Sequence, residues 1–117
     1  MLKRLLKSFV YAGAGLRTVF KEELNFRLQV LAGVFISIFA YYFRFSFEEW
    51  IAVIVAIVLV LLSEIINTAI EDLCNKIEPR HDPVVGKVKD IMAAFVLISS
   101  IGAALIGALT VFHHFAL

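Results

Sequence analysis

Residues 50–71 read WIAVIVAIVLVLLSEIINTAIE. The stretch Trp50–Ser63 carries no charge and no helix breaker, and it is rich in branched aliphatic side chains. A membrane-crossing helix needs about 20 such residues. The run reaches that length only if it continues past Glu64, so a carboxyl group lies inside the membrane or at its edge. An ionisable side chain in an apolar span costs on the order of 2.5–3.5 kcal/mol on insertion scales, which marks it as functional by default. Beyond Glu64 the polar residues keep helical spacing. At about 100° per residue Glu64, Asn67 and Glu71 fall on one stripe, and Asn75 extends it by another turn. The blander reading places Glu64 at headgroup depth, solvated and without a task.

Two further apolar runs flank this one, Leu28–Phe43 and Ile91–Phe112. The first is short and borrows Phe26 and a snorkelling Arg27. The expected spans are therefore about residues 26–43, 50–70 and 90–112 of a single 117-residue domain, residues 1–117. Composition agrees. The hydrophobic share is 62%, against roughly 45–50% in soluble domains, and the mean hydropathy is +0.93. So short a chain has too little interior to hide that much apolar surface, so lipid must solvate it. The net charge of +1 argues against a nucleic-acid partner. The lone cysteine, Cys74, excludes an intramolecular disulfide and reads as a small packed residue.

Ahead of the first span, Leu2, Leu5, Leu6, Phe9, Val10, Gly13, Leu16 and Phe20 recur at steps of three and four, with Lys3, Arg4, Lys7 and Arg17 largely between them. That pattern predicts an amphipathic helix over about 2–20, suited to lie on anionic lipid. No apolar core of signal-peptide length follows the basic start, so the segment is expected to belong to the mature protein. The Lys/Arg bias sets the topology. Lys3, Arg4, Lys7, Arg17, Lys21 and Arg27 precede the first span, and Lys76, Arg80, Lys87 and Lys89 follow the second. The intervening loop has only Arg44, beside Glu48 and Glu49. The N-terminus is expected in the cytoplasm and the C-terminus outside. Tyr41, Tyr42 and Trp50 suit the outer aromatic belt, and His113 and His114 read as interfacial or solvated. Pro79 and Pro83 mark a break over Glu78–Gly86.

The same topology puts Glu22–Arg27 and Gly86–Asp90 at the cytoplasmic side, at the depth of the polar stripe. Carboxylates, an amide and a lysine, with no nucleophilic Ser/His pair, suit phosphoryl transfer. That reaction needs oxygen ligands for Mg²⁺, cations against phosphate charge and a carboxylate to take a hydroxyl proton. No Walker sequence is present, and three scattered histidines do not suit zinc. On chemistry alone, a small ion-coupled membrane transporter subunit stays open as an alternative, because an intramembrane carboxylate serves either purpose.

The block Glu64-Ile-Ile-Asn67-Thr-Ala-Ile-Glu71, followed by Gly86-Lys-Val-Lys89-Asp90 and preceded by Gly15-Leu16-Arg17 and Glu23-Leu24-Asn25-Phe26-Arg27, resembles the prokaryotic diacylglycerol kinase family, which includes undecaprenol kinases. The resemblance implies an all-α integral membrane protein, with three transmembrane helices and one surface helix per subunit of a homotrimer. It implies a multi-pass protein of the bacterial cell membrane that transfers the γ-phosphate of MgATP to a lipid hydroxyl, giving phosphatidic acid from diacylglycerol or undecaprenyl phosphate from undecaprenol. Carried over by position, Glu64 is the general base and contacts the lipid, and Asn67 orients the phosphate or the metal shell. Glu23 and Glu71 hold metal. Lys89 meets the phosphates, and Asp90 contacts the nucleotide or fixes Lys89. Arg4, Lys7 and Gly86 lie near the nucleotide. Family members commonly carry Asp where Asn75 stands and His directly before the residue matching Pro83, where this chain has Asp82. Gln29 replaces a Glu found in some diacylglycerol kinases and is a candidate substrate contact.

Overall fold

The turns that join the helices have local causes. The computed structural model describes residues 1–116, and these form four helices: α1 (Leu2–Glu22), α2 (Leu24–Tyr42), α3 (Phe47–Ile77) and α4 (Pro83–Phe115). The last three are long and apolar enough to cross a membrane. Helix α3 is the central element, packing against α4 on one side and α2 on the other, while α1 packs on α2.

Between α1 and α2 a single residue, Glu23, adopts extended geometry with φ −112° and ψ 110°. The turn is held from the far side. The Arg27 guanidinium donates to the carbonyls of Phe20 and Lys21, both at 2.8 Å. These are carbonyls of the last turn of α1, which have no partner within their own helix. Arg27 therefore does not snorkel toward lipid headgroups as expected; it fastens the two helices at their elbow.

Helix α2 ends in a Schellman turn. The Phe45 N–H donates to the Ala40 carbonyl at 3.0 Å and the Arg44 N–H to that of Tyr41 at 3.2 Å. Arg44 takes the left-handed conformation this motif requires, with φ 55°. Helix α3 then starts on a capping box. The Ser46 hydroxyl accepts from the Glu49 N–H at 3.2 Å, and the Glu49 carboxylate accepts from the Ser46 N–H at 2.8 Å. Glu48 and Glu49 thus belong to the first turn of a helix, not to the loop before it.

The break before α4 is shorter than the prolines suggest. Asp82 caps the helix by accepting from the N–H groups of Val84 and Val85, each at 3.0 Å, and Pro83 occupies the first turn, where its missing N–H costs nothing. Gly86 is consequently helical, not part of the loop. Within the loop the Arg80 guanidinium donates to Glu78 at 2.9 Å and holds that carboxyl below the usual carboxylate range.

The tightest packing lies at the far end from this loop, around Ala40, Phe45 and Val53, with Phe39, Trp50 and Val111 against them. Trp50 thus packs inward against this cluster, whereas Tyr41 and Tyr42 stay exposed. His114 is likewise not solvated. Its Nδ1 lies 2.9 Å from a carboxylate oxygen of the buried Glu49, and its ring lies 4.5 Å from that of Phe45. This contact ties the end of α4 to the start of α3. Midway along, Gly33 lets α2 approach α3 closely: a Cβ there would meet the Ile57 side chain at 3.2 Å. Between α2 and α4, above α3, runs an open apolar groove of about 1280 Å³, with Phe35 and Ile36 on one wall and Ala104 and Gly107 on the other. Many large apolar side chains face outward, among them Leu31, Phe35, Leu97 and Leu109. That suits a chain whose solvent is hydrocarbon.

Candidate active site

The polar stripe lies on uninterrupted helix, since α3 runs through all of its members. At 1.5 Å per residue its 31 residues extend about 46 Å, well beyond the roughly 30 Å hydrocarbon core. One helix therefore carries groups at both lipid and aqueous depth. From Glu64 to Glu71 the rise is roughly 10 Å.

Glu64 is 4% exposed, and Ser63 and Thr68 beside it are buried as well. The two hydroxyls turn back on their own helix, Ser63 to the Val60 carbonyl at 2.7 Å and Thr68 to the Glu64 carbonyl at 2.9 Å. Their hydrogen-bonding needs are met locally, so they place no demand on the site. The Glu64 carboxyl differs. Desolvation and the charges of Glu23 and Glu71 act on it, and no hydrogen bond from the described residues does. Those two carboxylates therefore lie within Coulombic range of it, Glu23 from the α1–α2 elbow and Glu71 from two turns along α3. Asn67 sits between Glu64 and Glu71 on the same face and is half-buried, as are Glu23 and Glu71.

Across the loop, the Lys89 ammonium donates to the Asn75 side-chain oxygen at 2.7 Å. Lys89 is thus joined to the stripe through Asn75. Asp90, the next residue on α4, is exposed and makes no hydrogen bond to Lys89 among the described residues. The stripe pattern already reached Asn75, but nothing in it named Lys89 as the partner. Gly86 is half-buried with open space where a side chain would be. Arg4 and Lys7 are exposed on α1. Gln29 is half-buried and lines the apolar groove.

Among the described residues, no three His, Cys, Asp or Glu side chains converge tightly enough to chelate an ion by themselves. The donor set nonetheless fits Mg²⁺. This ion is commonly held by one or two carboxylates, with phosphate oxygens and water completing its shell.

The sequence matches the description of the prokaryotic diacylglycerol kinase family over residues 10–111. The chain belongs to this family. It is 32% identical to the undecaprenol kinase of Bacillus subtilis over 108 residues, covering 92% of this chain and 88% of that one. It is 29% identical to the diacylglycerol kinase of Escherichia coli K12 over 112 residues, 96% and 92% of the two chains. The diacylglycerol kinase of Helicobacter pylori is 34% identical over 99 residues, 85% of this chain and 77% of that one. The protein is therefore a membrane lipid kinase, with ATP and a lipid as its substrates. Family membership also decides between the two uses of an intramembrane carboxylate left open above, in favour of the enzyme over the transporter subunit.

Proposed function

We propose that the chain transfers the γ-phosphate of MgATP to the hydroxyl of a membrane lipid alcohol, diacylglycerol or undecaprenol, at the cytoplasmic surface of the cell membrane. The observation that carries this reading is the Glu64 side chain, largely buried yet with no hydrogen bond to its carboxyl among the described residues, and the charges of Glu23 and Glu71 acting on it. A carboxylate without a donor of its own is available to accept one, and a lipid hydroxyl supplies it. Glu64 takes the hydroxyl proton, the lipid oxygen bonds to the γ-phosphorus, and the bond from that phosphorus to the bridging oxygen breaks to release ADP. Glu23 and Glu71 would hold Mg²⁺, which would supply positive charge against the phosphates. Asn67 orients the transferred phosphoryl group, and Lys89 offsets its charge. Asp90, Arg4, Lys7 and Gly86 form the outer nucleotide surface, and Gln29 contacts the lipid substrate.

The depth argument supports the same assignment. The acceptor hydroxyl stays near the headgroups while ATP arrives from water, so base and metal ligands belong at two levels of one helix. We assign α1 to the membrane surface as an amphipathic helix, with the N-terminus cytoplasmic and the C-terminus outside. Its elbow then delivers Glu23 at headgroup depth. The chain works as a homotrimer in this reading, which places neighbouring subunits against its exposed apolar faces.

The test is a competition assay on purified protein in mixed micelles containing diacylglycerol and undecaprenol, with ATP labelled at the γ position. Label entering either lipid supports the reading and names the acceptor. Label entering neither lipid, with Mg²⁺ and ATP present, contradicts it.

A further inference from the structure

The Asn75–Lys89 contact has no place in the chemistry just described, yet it joins α3 to α4 across the turn at the site's aqueous end. We propose that Asn75 is a positioning residue for nucleotide binding, acting through Lys89. The inference rests on the reading of Lys89 as a phosphate contact.

The argument begins with what a lysine brings. Its ammonium has three N–H donors and no acceptor, at the end of a four-carbon stem with several rotatable bonds. Unrestrained, it samples many rotamers and loses them when it meets a phosphate. At 2.7 Å from the Asn75 oxygen, Lys89 already has one donor engaged and its stem direction set. Two donors remain for a phosphate. The identity of the acceptor matters as well. Asn75 is neutral, so it orients the ammonium without cancelling its charge, as a carboxylate at hydrogen-bond distance would in part. The full positive charge stays available to the nucleotide.

Asn75 lies in line with Glu64 and Glu71 on α3, one turn beyond Glu71. A lysine held there is registered against the same helix face that carries the proposed base and metal ligand. Asn75 is itself exposed, so its substitution leaves no cavity. This separates a positioning role from a packing one.

The test is a double-mutant cycle on full-length protein in micelles, reading KM for MgATP, kcat and thermal stability for wild type, Asn75→Ala, Lys89→Ala and the pair. Asn75→Ala is expected to raise KM for MgATP roughly threefold or more, with melting temperature unchanged, and to have no further effect once Lys89 is alanine. Asn75→Asp is expected to fall between wild type and Asn75→Ala, because it keeps the acceptor but partly cancels the Lys89 charge. An equal effect of Asn75→Ala with or without Lys89, or no effect on KM while Lys89→Ala raises it, overturns the positioning role alone. If Lys89→Ala itself leaves KM and kcat unchanged, the assignment of Lys89 to the phosphates falls and takes this inference with it.

Discussion

Two residues far from the polar stripe show how individual side chains shape this fold. Arg44 holds a left-handed backbone conformation that carries a penalty of roughly 1–2 kcal/mol in any residue with a Cβ. Glycine avoids that strain but gives back part of the gain through its freer unfolded chain. Arg44→Gly is therefore expected to stabilise the protein by roughly 0.5–1 kcal/mol, read as a higher melting temperature in detergent; a lower one contradicts the Schellman assignment. His114 makes the opposite case. It is the side-chain partner of the buried Glu49 carboxylate, whose other contact is the Ser46 N–H. Truncation removes this link, while the carboxylate oxygen keeps the Ser46 N–H. His114→Ala should lower the melting temperature in detergent, and unchanged stability would show the contact to be idle. Read in sequence, His114 is interfacial or solvated, because nothing local reveals that the chain end returns to the start of α3. Pairing across 65 positions is a tertiary fact.

At the scale of elements, the informative joint is the elbow between α1 and α2. Charge pattern and periodicity predict both helices, and the Glu64–Asn67–Glu71 stripe can be read directly, because helical spacing alone puts those residues on one face. The Ser46-to-Glu49 cap formed no part of that reading, although Ser followed three positions later by Glu is its signature. What holds the elbow was not readable. Arg27 looks like a snorkelling cation, but in the fold its guanidinium binds two carbonyls of α1. Arg27→Ala should loosen the joint and let Glu23 drift from Glu64. Amide hydrogen exchange at the end of α1 is expected to accelerate roughly tenfold or more, as charged hydrogen bonds worth about 1.5–3 kcal/mol are lost. Exchange at the wild-type rate would mean that packing alone fixes the elbow. The contact of Lys89 with Asn75 escaped the sequence for a related reason: a stripe on one helix does not say which side chain of the next will reach it.

Taken whole, the molecule is a membrane helix bundle in which the central span is also the scaffold of the site. A helix about 46 Å long in a hydrocarbon layer of about 30 Å carries side chains into both phases. That difference in length lets one element present the proposed base to lipid and the proposed metal ligand to water. If Glu71 holds the metal, Glu71→Ala should shift the Mg²⁺ dependence of turnover to higher concentration by roughly tenfold or more, whereas an unaltered titration would remove it from the metal shell. The central claim is that the Glu64 carboxyl is the base. Its most direct test is the turnover number of Glu64→Gln, measured on protein whose oligomeric state and ATP binding are first shown to match wild type. We predict that kcat falls by about 100-fold or more, the scale of general-base catalysis, with KM for MgATP little changed. Turnover within a few-fold of wild type would contradict the account.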